Sequence, residues 1–589
     1  MKEQLSWKVG GQQGEGVEST GEIFSIGLNR LGYYLYGYRH FSSRIKGGHT
    51  NNKVRVSTIP VNSVSDDLDI LVAFDQESID LNYHELNDQG IIIADSKFNP
   101  IRPEACNAAL YGVPFTEIAK DISTPLMKNM VAIGASAVVL GIKVESFLSV
   151  IKEIFERKGD DVVHQNMKAM QAGYDAMNDG ISIEDLNNKL APVNNQEGRM
   201  LMLGNEAIAF GALAAGVRLM PGYPITPATD IMEYLIKKLP DVGGTVVQTE
   251  DEIAAVTMAI GANYAGVRSF TASSGPGLSL MMEGIGLAGM TETPLVVVNT
   301  QRGGPSTGLP TKQEQSDLMQ MIYGTHGEIP KVVIAPSTAE EAFYDTIQAF
   351  NIADKYQCPV ILLSDLQLSL AKQSVPPFDY DSIHIDRGQV IDEVVNGENK
   401  TVYYERFKIT ESGISNRVLP GTKNGIHHVT GLEHDEEGRP NETKANRLQQ
   451  MEKRMRKLNS LINSFRQTII ENVQRKESEL LVIGFNSTRG AIEEAVEKLR
   501  DEGVESVNHV HIRLVQPFPT EDITPFVHNA RKILVIENNA TSQLANIIKM
   551  NVGNIVKFES LLKYDGDPFH AKEIYEKAKE LLKNEYVNN

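Results

Sequence analysis

Between residues 204 and 363 short apolar runs alternate with stretches of helical periodicity, and this alternation constrains the fold more than any other feature of the chain. The runs at 244–249, 268–271, 294–300, 331–334 and 360–363 have the length of strands buried on both faces. Helical spacing occupies 205–215, 252–264, 278–288 and 339–349. Strands separated by helices cannot pair as hairpins, so the pattern predicts a parallel sheet wrapped by helices.

The same alternation appears on both sides. Strands are expected at 5–9, 54–56, 70–73 and 91–93, with helices at 19–31, 129–140 and 145–155. Farther on, strands at 480–485, 508–513 and 532–536 alternate with helices at 488–499, 521–529 and 542–552. Residues 375–475 break the pattern, being polar and rich in Asp, Asn, Gly and His up to about Asn441. Within them Leu448, Met451, Met455, Leu458, Ile462 and Phe465 have helical spacing, with Lys453, Arg454, Arg456 and Lys457 on the other faces. That predicts an amphipathic helix with a solvated basic face, or a docking surface for an acidic partner. At about 150 residues per domain the length allows about four units. The expected division is three doubly wound α/β domains, 1–192, 198–374 and 476–589, with 375–475 as a long insertion.

Lys and Arg total 57 against 76 Asp and Glu, a net charge of −19. This balance argues against a chain built to hold nucleic acid, which needs clustered cations. No run of about 18 apolar residues occurs, and no signal-peptide core precedes the first glycine cluster, so a cytoplasmic protein is expected. The only cysteines, Cys106 and Cys358, lack metal-ligand spacing. An iron-sulfur cluster normally takes four thiolates, so the chain cannot hold one alone.

Five segments carry candidate chemistry. Gly10-Gly11-Gln12-Gln13-Gly14-Glu15-Gly16 falls between a strand and a helix, where backbone N–H groups can meet a phosphate, but its spacing is not that of a dinucleotide fold; a plain tight turn is the alternative. Arg44-Ile45-Lys46-Gly47-Gly48-His49 sets two cations before a flexible turn. In Tyr223-Pro224-Ile225-Thr226-Pro227 two prolines stiffen the backbone around a hydroxyl. Glu250-Asp251-Glu252 places three carboxylates between a buried strand and an Ala-rich helix, where dipole complementation explains any one more easily than all three. The loop after the 294–300 strand opens with Arg302, a natural fork for a carboxylate. Ligands of parallel sheets lie at strand carboxyl ends, so Thr226, Glu252 and Arg302 can converge.

Together these segments closely resemble the α subunit of 2-oxoacid:ferredoxin oxidoreductases. The resemblance rests on Tyr223-Pro224-Ile225-Thr226-Pro227, the Glu252-Ile253-Ala254-Ala255 helix start, the Thr271-Ala272-Ser273-Ser274-Gly275-Pro276-Gly277 turn, and Gln301-Arg302-x-Gly304-Pro305-Ser306-Thr307-Gly308-x-Pro310-Thr311. It covers nearly the whole chain. The first unit looks like the family's γ domain fused ahead of α, the second like its thiamine diphosphate pyrimidine-binding domain, and the third like its transketolase C-terminal domain. Residues 403–458, with Arg406, Arg417, His427, His428 and His434, resemble the insert of fused α chains. The histidines are expected to be structural or superficial rather than metal ligands.

The resemblance implies CoA-dependent oxidative decarboxylation of a 2-oxoacid. The fused architecture points to 2-oxoglutarate, with pyruvate or a branched-chain or aryl 2-oxoacid as alternatives. By motif, Glu252 is the glutamate that hydrogen-bonds N1′ of thiamine diphosphate, with Glu250 as the competing assignment. Tyr223, Pro224 and Ile225 adjoin the cofactor, and Thr226, Arg302 and Thr311 hold the substrate. No Gly-Asp-Gly with a spaced Asn is present for Mg2+ and diphosphate, so Mg2+ and a 4Fe-4S cluster are expected in a β subunit of an α2β2 heterotetramer that reduces ferredoxin. The Gly10–Gly16 loop departs from the pattern of free-standing γ subunits, which weakens a coenzyme A assignment there. A nucleotide-dependent dehydrogenase would need that loop to bind a dinucleotide, and a non-catalytic assembly subunit would leave Thr226, Glu252 and Arg302 without purpose.

Overall fold

The computed structural model describes residues 1–41, 47–182, 189–193, 198–394, 403–464, 469–473, 477–553 and 558–583. Arg44, Ile45, Lys46 and Phe465 lie outside them. The chain divides into two compact units. The first comprises Met1–Leu203, Leu370–Pro377 and His570–Lys572, and the second holds Gly204–Ser369, Phe378–Phe569 and the residues from Glu573 onward.

The first unit is built on an eight-stranded mixed sheet. Its strands are β1 (Gln4–Gln12), β2 (Tyr34–His40), β3 (His49–Ser57), β4 (Leu68–Ala73), β5 (Leu86–Asp95), β6 (Ala109–Val113), β7 (Met200–Leu203) and β14 (Lys372–Val375), in the order β6-β5-β4-β1-β3-β2-β14-β7. β1, β4, β5 and β6 run parallel, and β3, β2, β14 and β7 pair antiparallel. Alternation along β1 sends Leu5, Trp7 and Val9 into one core, where Trp7 stacks on Phe24 at 4.0 Å and donates to Ser136 Oγ at 3.0 Å. Its other face carries Lys8, which with Lys53 pairs with Glu85. Gly10 and Gly11 belong to β1 itself, and the turn is made by residues 13–16 before the Val17–Arg30 helix.

The second unit contains three further sheets among the described residues. β8 (Leu219–Gly222) and β9 (Thr245–Gln248) pair in parallel, and a bridge from Leu219 to Ser269 brings β8 beside β10 (Phe270–Ser273). β10, β11 (Leu295–Gln301), β13 (Pro359–Asp365) and β12 (Val332–Ile334) continue in parallel, closed by antiparallel β18 (Leu514–Gln516). β11 and β13 are buried along their whole length; residues 295–298 and 360–363 read as continuous apolar runs, and the polar residues come at the carboxyl ends. The last sheet has the order β15-β17-β16-β19-β20: Ile469–Asn472, Val507–Ile512, Ser478–Phe485, Ala530–Glu537 and Phe558–Leu562. Both units are thus α/β, with no helix or strand among the described residues of 376–443. Among the described residues no helix is long and apolar enough to cross a membrane.

One expectation fails. The helix over Lys444–Ser464 forms, but Lys453, Arg454 and Lys457 point inward. Gln450, Lys453, Arg454, Lys457 and Leu461 make the buried stripe, while Leu448 is 53% exposed. Lys453 Nζ donates to Glu292 Oε1 at 2.6 Å, and Lys457 bonds the other oxygen. Arg454 meets Glu433 at 2.7 Å, and Arg456 donates to Thr410 O at 2.8 Å. This face is therefore neither solvated nor a basic docking surface. The physical reason is Glu292, a fully buried carboxylate that needs cations beside it.

Candidate active site

The parallel strands of the second unit end at one edge, and the candidate residues follow them there. Tyr223-Pro224-Ile225-Thr226 continues from β8, Glu250-Asp251-Glu252 from β9, Ser273 ends β10 and Arg302 follows β11. The Thr249 N–H to Gly222 O bond of 3.0 Å keeps the first two segments side by side.

The three adjacent carboxylates have different fates. Asp251 is the N-cap of the Glu252–Tyr264 helix, its side chain accepting from Ala254 N at 2.7 Å. Glu250 is exposed. Glu252, first residue of the helix, is 6% exposed, and its carboxyl makes no hydrogen bond or ion pair among the described residues. It lies against the start of the Gly275–Met290 helix: a Cβ on Gly277 would come within 2.8 Å of Glu252 Oε1 and would also strike Ser273 Oγ. The buried hydroxyls of Thr271, Ser273 and Ser274 also lack partners. Buried polar groups are normally satisfied, so an unpaired carboxyl among orphaned hydroxyls fits a polar ligand. A thiamine aminopyrimidine, with ring nitrogens and an amino group, has the chemistry such a set can satisfy.

Arg302 joins the Thr226 segment directly. Its Nη1 donates to Thr226 O at 2.6 Å and its Nη2 to Thr307 O at 3.4 Å, while Nε is buried without a partner. Burial holds its guanidinium below the usual arginine range, and Asp317 acts in the opposite direction. Burial likewise raises the Asp317 carboxyl, opposed by the Asn299 hydrogen bond and by Arg302. Glu314 is raised by burial too, although it accepts from Gly304 N at 3.1 Å. Asn205 Nδ2 holds Pro227 O at 2.7 Å. Tyr223 and Pro224 are exposed, and Ile225 and Thr226 are half-buried. Thr311 is buried in the same loop, and its hydroxyl bonds neither Arg302 nor Thr226.

Arg302 lines a cavity of about 580 Å3, together with Gly275, Ser279, Asp317, Gln320 and Thr541. Sequence reasoning did not single out Asp317, Glu314 or Thr541. They lie in polar turns without periodicity, and only their fold neighbours distinguish them. The histidines of the insertion serve structure: His427 Nδ1 donates to Gly425 O at 2.8 Å and His434 Nδ1 to Leu432 O at 2.9 Å. Arg406 and Arg417 are buried on Glu292 O and Asp354 Oδ1. In the first unit, a cavity of about 510 Å3 opens beside Gly14, Gly16 and Arg39. Both cysteines are buried and free, and no group of metal-ligating side chains occurs among the described residues.

Comparison with known proteins agrees with this architecture. The pyruvate flavodoxin/ferredoxin oxidoreductase thiamine diphosphate-binding family model matches residues 210–454. The pyruvate ferredoxin/flavodoxin oxidoreductase model matches 6–176, and the pyruvate:ferredoxin oxidoreductase core domain II model matches 478–574. The 2-oxoacid:ferredoxin oxidoreductase subunit alpha of a Sulfolobus species is 34% identical, covering 98% of this chain and 97% of its own length. The 2-oxoglutarate synthase subunit KorA of Methanothermobacter marburgensis is 37% identical over 64% of this chain and 96% of its own. A solved structure, the 2-oxoglutarate:ferredoxin oxidoreductase from Magnetococcus marinus with 2-oxoglutarate, coenzyme A and succinyl-CoA bound, superposes with a TM-score of 0.92 at 34% identity, covering 99% of this chain and 100% of that one. The chain belongs to the 2-oxoacid:ferredoxin oxidoreductase family, as an α subunit.

Proposed function

We propose that this α subunit acts with thiamine diphosphate to convert 2-oxoglutarate and coenzyme A into succinyl-CoA and carbon dioxide, with two electrons delivered to ferredoxin. The observation that carries the proposal is Glu252, a carboxyl on a buried residue, unpaired among the described residues and lodged against Gly277. Among 2-oxoacids, 2-oxoglutarate is favoured by the bound ligands of the Magnetococcus marinus relative and by the name of the Methanothermobacter one.

When bound, thiamine diphosphate supplies a carbon nucleophile toward the 2-oxo group and an electron sink once carbon dioxide leaves. Glu252 would hold a proton at the aminopyrimidine ring nitrogen, where exclusion of water strengthens the hydrogen bond. Tyr223, Pro224 and Ile225 would form the wall on which that ring rests. Arg302 would orient the substrate carboxylate through its unpaired side, since Thr226 O already occupies Nη1. The hydroxyls of Thr226 and Thr311 would meet the remaining substrate oxygens. Two cysteines in the whole sequence cannot ligate a 4Fe-4S cluster, so the cluster, with Mg2+ and the diphosphate site, is assigned to a β subunit in a cytoplasmic α2β2 assembly.

The test is to co-purify the chain with its β partner and to follow coenzyme A-dependent reduction of a viologen dye across a panel of 2-oxoacids. Highest kcat/KM is expected with 2-oxoglutarate. A complex that binds no thiamine diphosphate and reduces no dye with any 2-oxoacid would overturn the proposal. Glu252→Gln is expected to remove dye reduction while leaving the complex assembled.

A further inference from the structure

The loop that carries Arg302 leaves the parallel sheet at Gln301 and returns at the Leu318–Tyr323 helix, and its returning arm is bonded both to the ends of β11 and β13 and to the segments that follow β19 and β20 of the last sheet. Gln313 N donates to Gly566 O at 3.0 Å. Gln315 and Asn538 exchange two bonds, Gln315 N to Asn538 O at 2.6 Å and Asn538 N to Gln315 Oε1 at 3.0 Å. Gln543 spans the next turn: Nε2 donates to Ser316 O at 2.7 Å, and Oε1 accepts from Met319 N at 2.9 Å. Gln315 Nε2 also donates to Asp365 Oδ2 at 2.8 Å, at the end of β13. Gln313, Gln315, Asn538 and Asp365 are fully buried, so no water competes for these bonds.

The arm in turn sets the surroundings of Arg302. Asp317 N donates to Gln301 Oε1 at 3.2 Å, Asn299 Nδ2 donates to Asp317 Oδ2 at 3.0 Å, and Glu314 accepts from Gly304 N. The Asp317 carboxylate acts on the Arg302 guanidinium and lines the same cavity, whose far wall includes Thr541 and Gln543. We propose that Gln543, with Gln315 behind it, is a positioning residue for Arg302, so that the C-terminal sheet sets the substrate-facing geometry of a loop belonging to another sheet. This rests on Arg302 being the substrate anchor. A loop anchored by such bonds keeps its guanidinium in place, and a guanidinium displaced from the substrate carboxylate weakens ground state and transition state alike, which raises KM and leaves kcat nearly unchanged.

The variant is Gln543→Met, which keeps the length and loses both bonds, made in the chain co-purified with its β partner. Should that variant fail to assemble, Gln543→Glu keeps the acceptor for Met319 N and takes its place. Amide exchange over residues 315–319 should quicken, and KM for the 2-oxoacid should rise about tenfold with kcat within about twofold. KM for coenzyme A should stay put. Unchanged exchange, or a fall in kcat with KM unchanged, overturns the proposal. Arg302→Lys is measured alongside. If it raises KM and Gln543→Met does not, positioning is wrong; if neither moves KM, the substrate role of Arg302 is wrong.

Discussion

Glu292→Gln removes one charge from a cluster sealed from water, and the structure sets the size of the effect. The Glu292 carboxylate is fully buried, and so are Lys453 and Lys457, which share its two oxygens. Arg406 donates to its backbone carbonyl at 2.9 Å. Burial by itself would raise the Glu292 carboxyl; the three cations outweigh burial and hold it well below the usual range. Removing one partner of a buried pair costs about 3–5 kcal/mol, and here one carboxylate serves two lysines, so the upper part of that range is expected at pH 6. At about 1.4 kcal/mol per tenfold, amide protection in the Lys444–Ser464 helix should fall by about three decades, read by hydrogen exchange. The deficit depends on pH. Burial depresses Lys453 to about 7 even with Glu292 opposing it. Its unfolded value is about 10.4. Between those values the unfolded chain holds a proton that the folded chain lacks, so stability rises with pH across that window and is flat from this group below it. In the Gln variant the lysine loses its anion, its value falls further, and the rise begins at lower pH. The deficit should therefore be larger at pH 6 than at pH 9, where Lys453 is neutral in both proteins. Protection within threefold of wild type at pH 6 would refute the buried cluster and return these lysines to solvent.

In the first unit, burial raises Glu85, but Lys8 and Lys53 outweigh it and bring the carboxyl to about 2. A depressed carboxylate contributes stability above about pH 4.5 that is lost as pH falls toward 2, here about 3 kcal/mol; Glu85→Gln should remove that acid-dependent part of the Trp7 fluorescence transition, and an unchanged acid midpoint would count against the pairing. Gly277→Ala should displace Glu252, because the new Cβ would lie 2.8 Å from Oε1; dye reduction should fall at least about a hundredfold, and near-wild-type activity would show that Glu252 can move without consequence. Burial pushes the Cys358 thiol up to about 12, so iodoacetamide at pH 8 should label it only after unfolding, and rapid native labelling would contradict its burial.

Legibility divides along a physical line. β11 and β13 were plain in the sequence because both faces are buried and their first four or five residues are apolar, the buried polar residues Asn299, Gln301 and Asp365 coming only at the carboxyl ends. The Glu252–Tyr264 helix was plain because its start is local, a capping aspartate followed by Ala-rich turns. β8 was missed because Leu219-Met220-Pro221-Gly222 ends in two residues that ordinarily break strands. Of the site, Thr226, Glu252 and Arg302 were visible as motifs at strand ends, whereas Asp317 and Gln543 act through partners remote in sequence, as with the 224 residues between Met319 and Gln543. The basic helix is the sharpest case. Periodicity ranks each side chain by its own transfer cost, so Lys453 and Lys457 are assigned to solvent. The cost of burying an ion depends on what faces it, and the anion here lies 161 residues from Lys453. Apolar burial can be read one residue at a time, but buried charge is a property of pairs, and a pair exists only once the chain has folded.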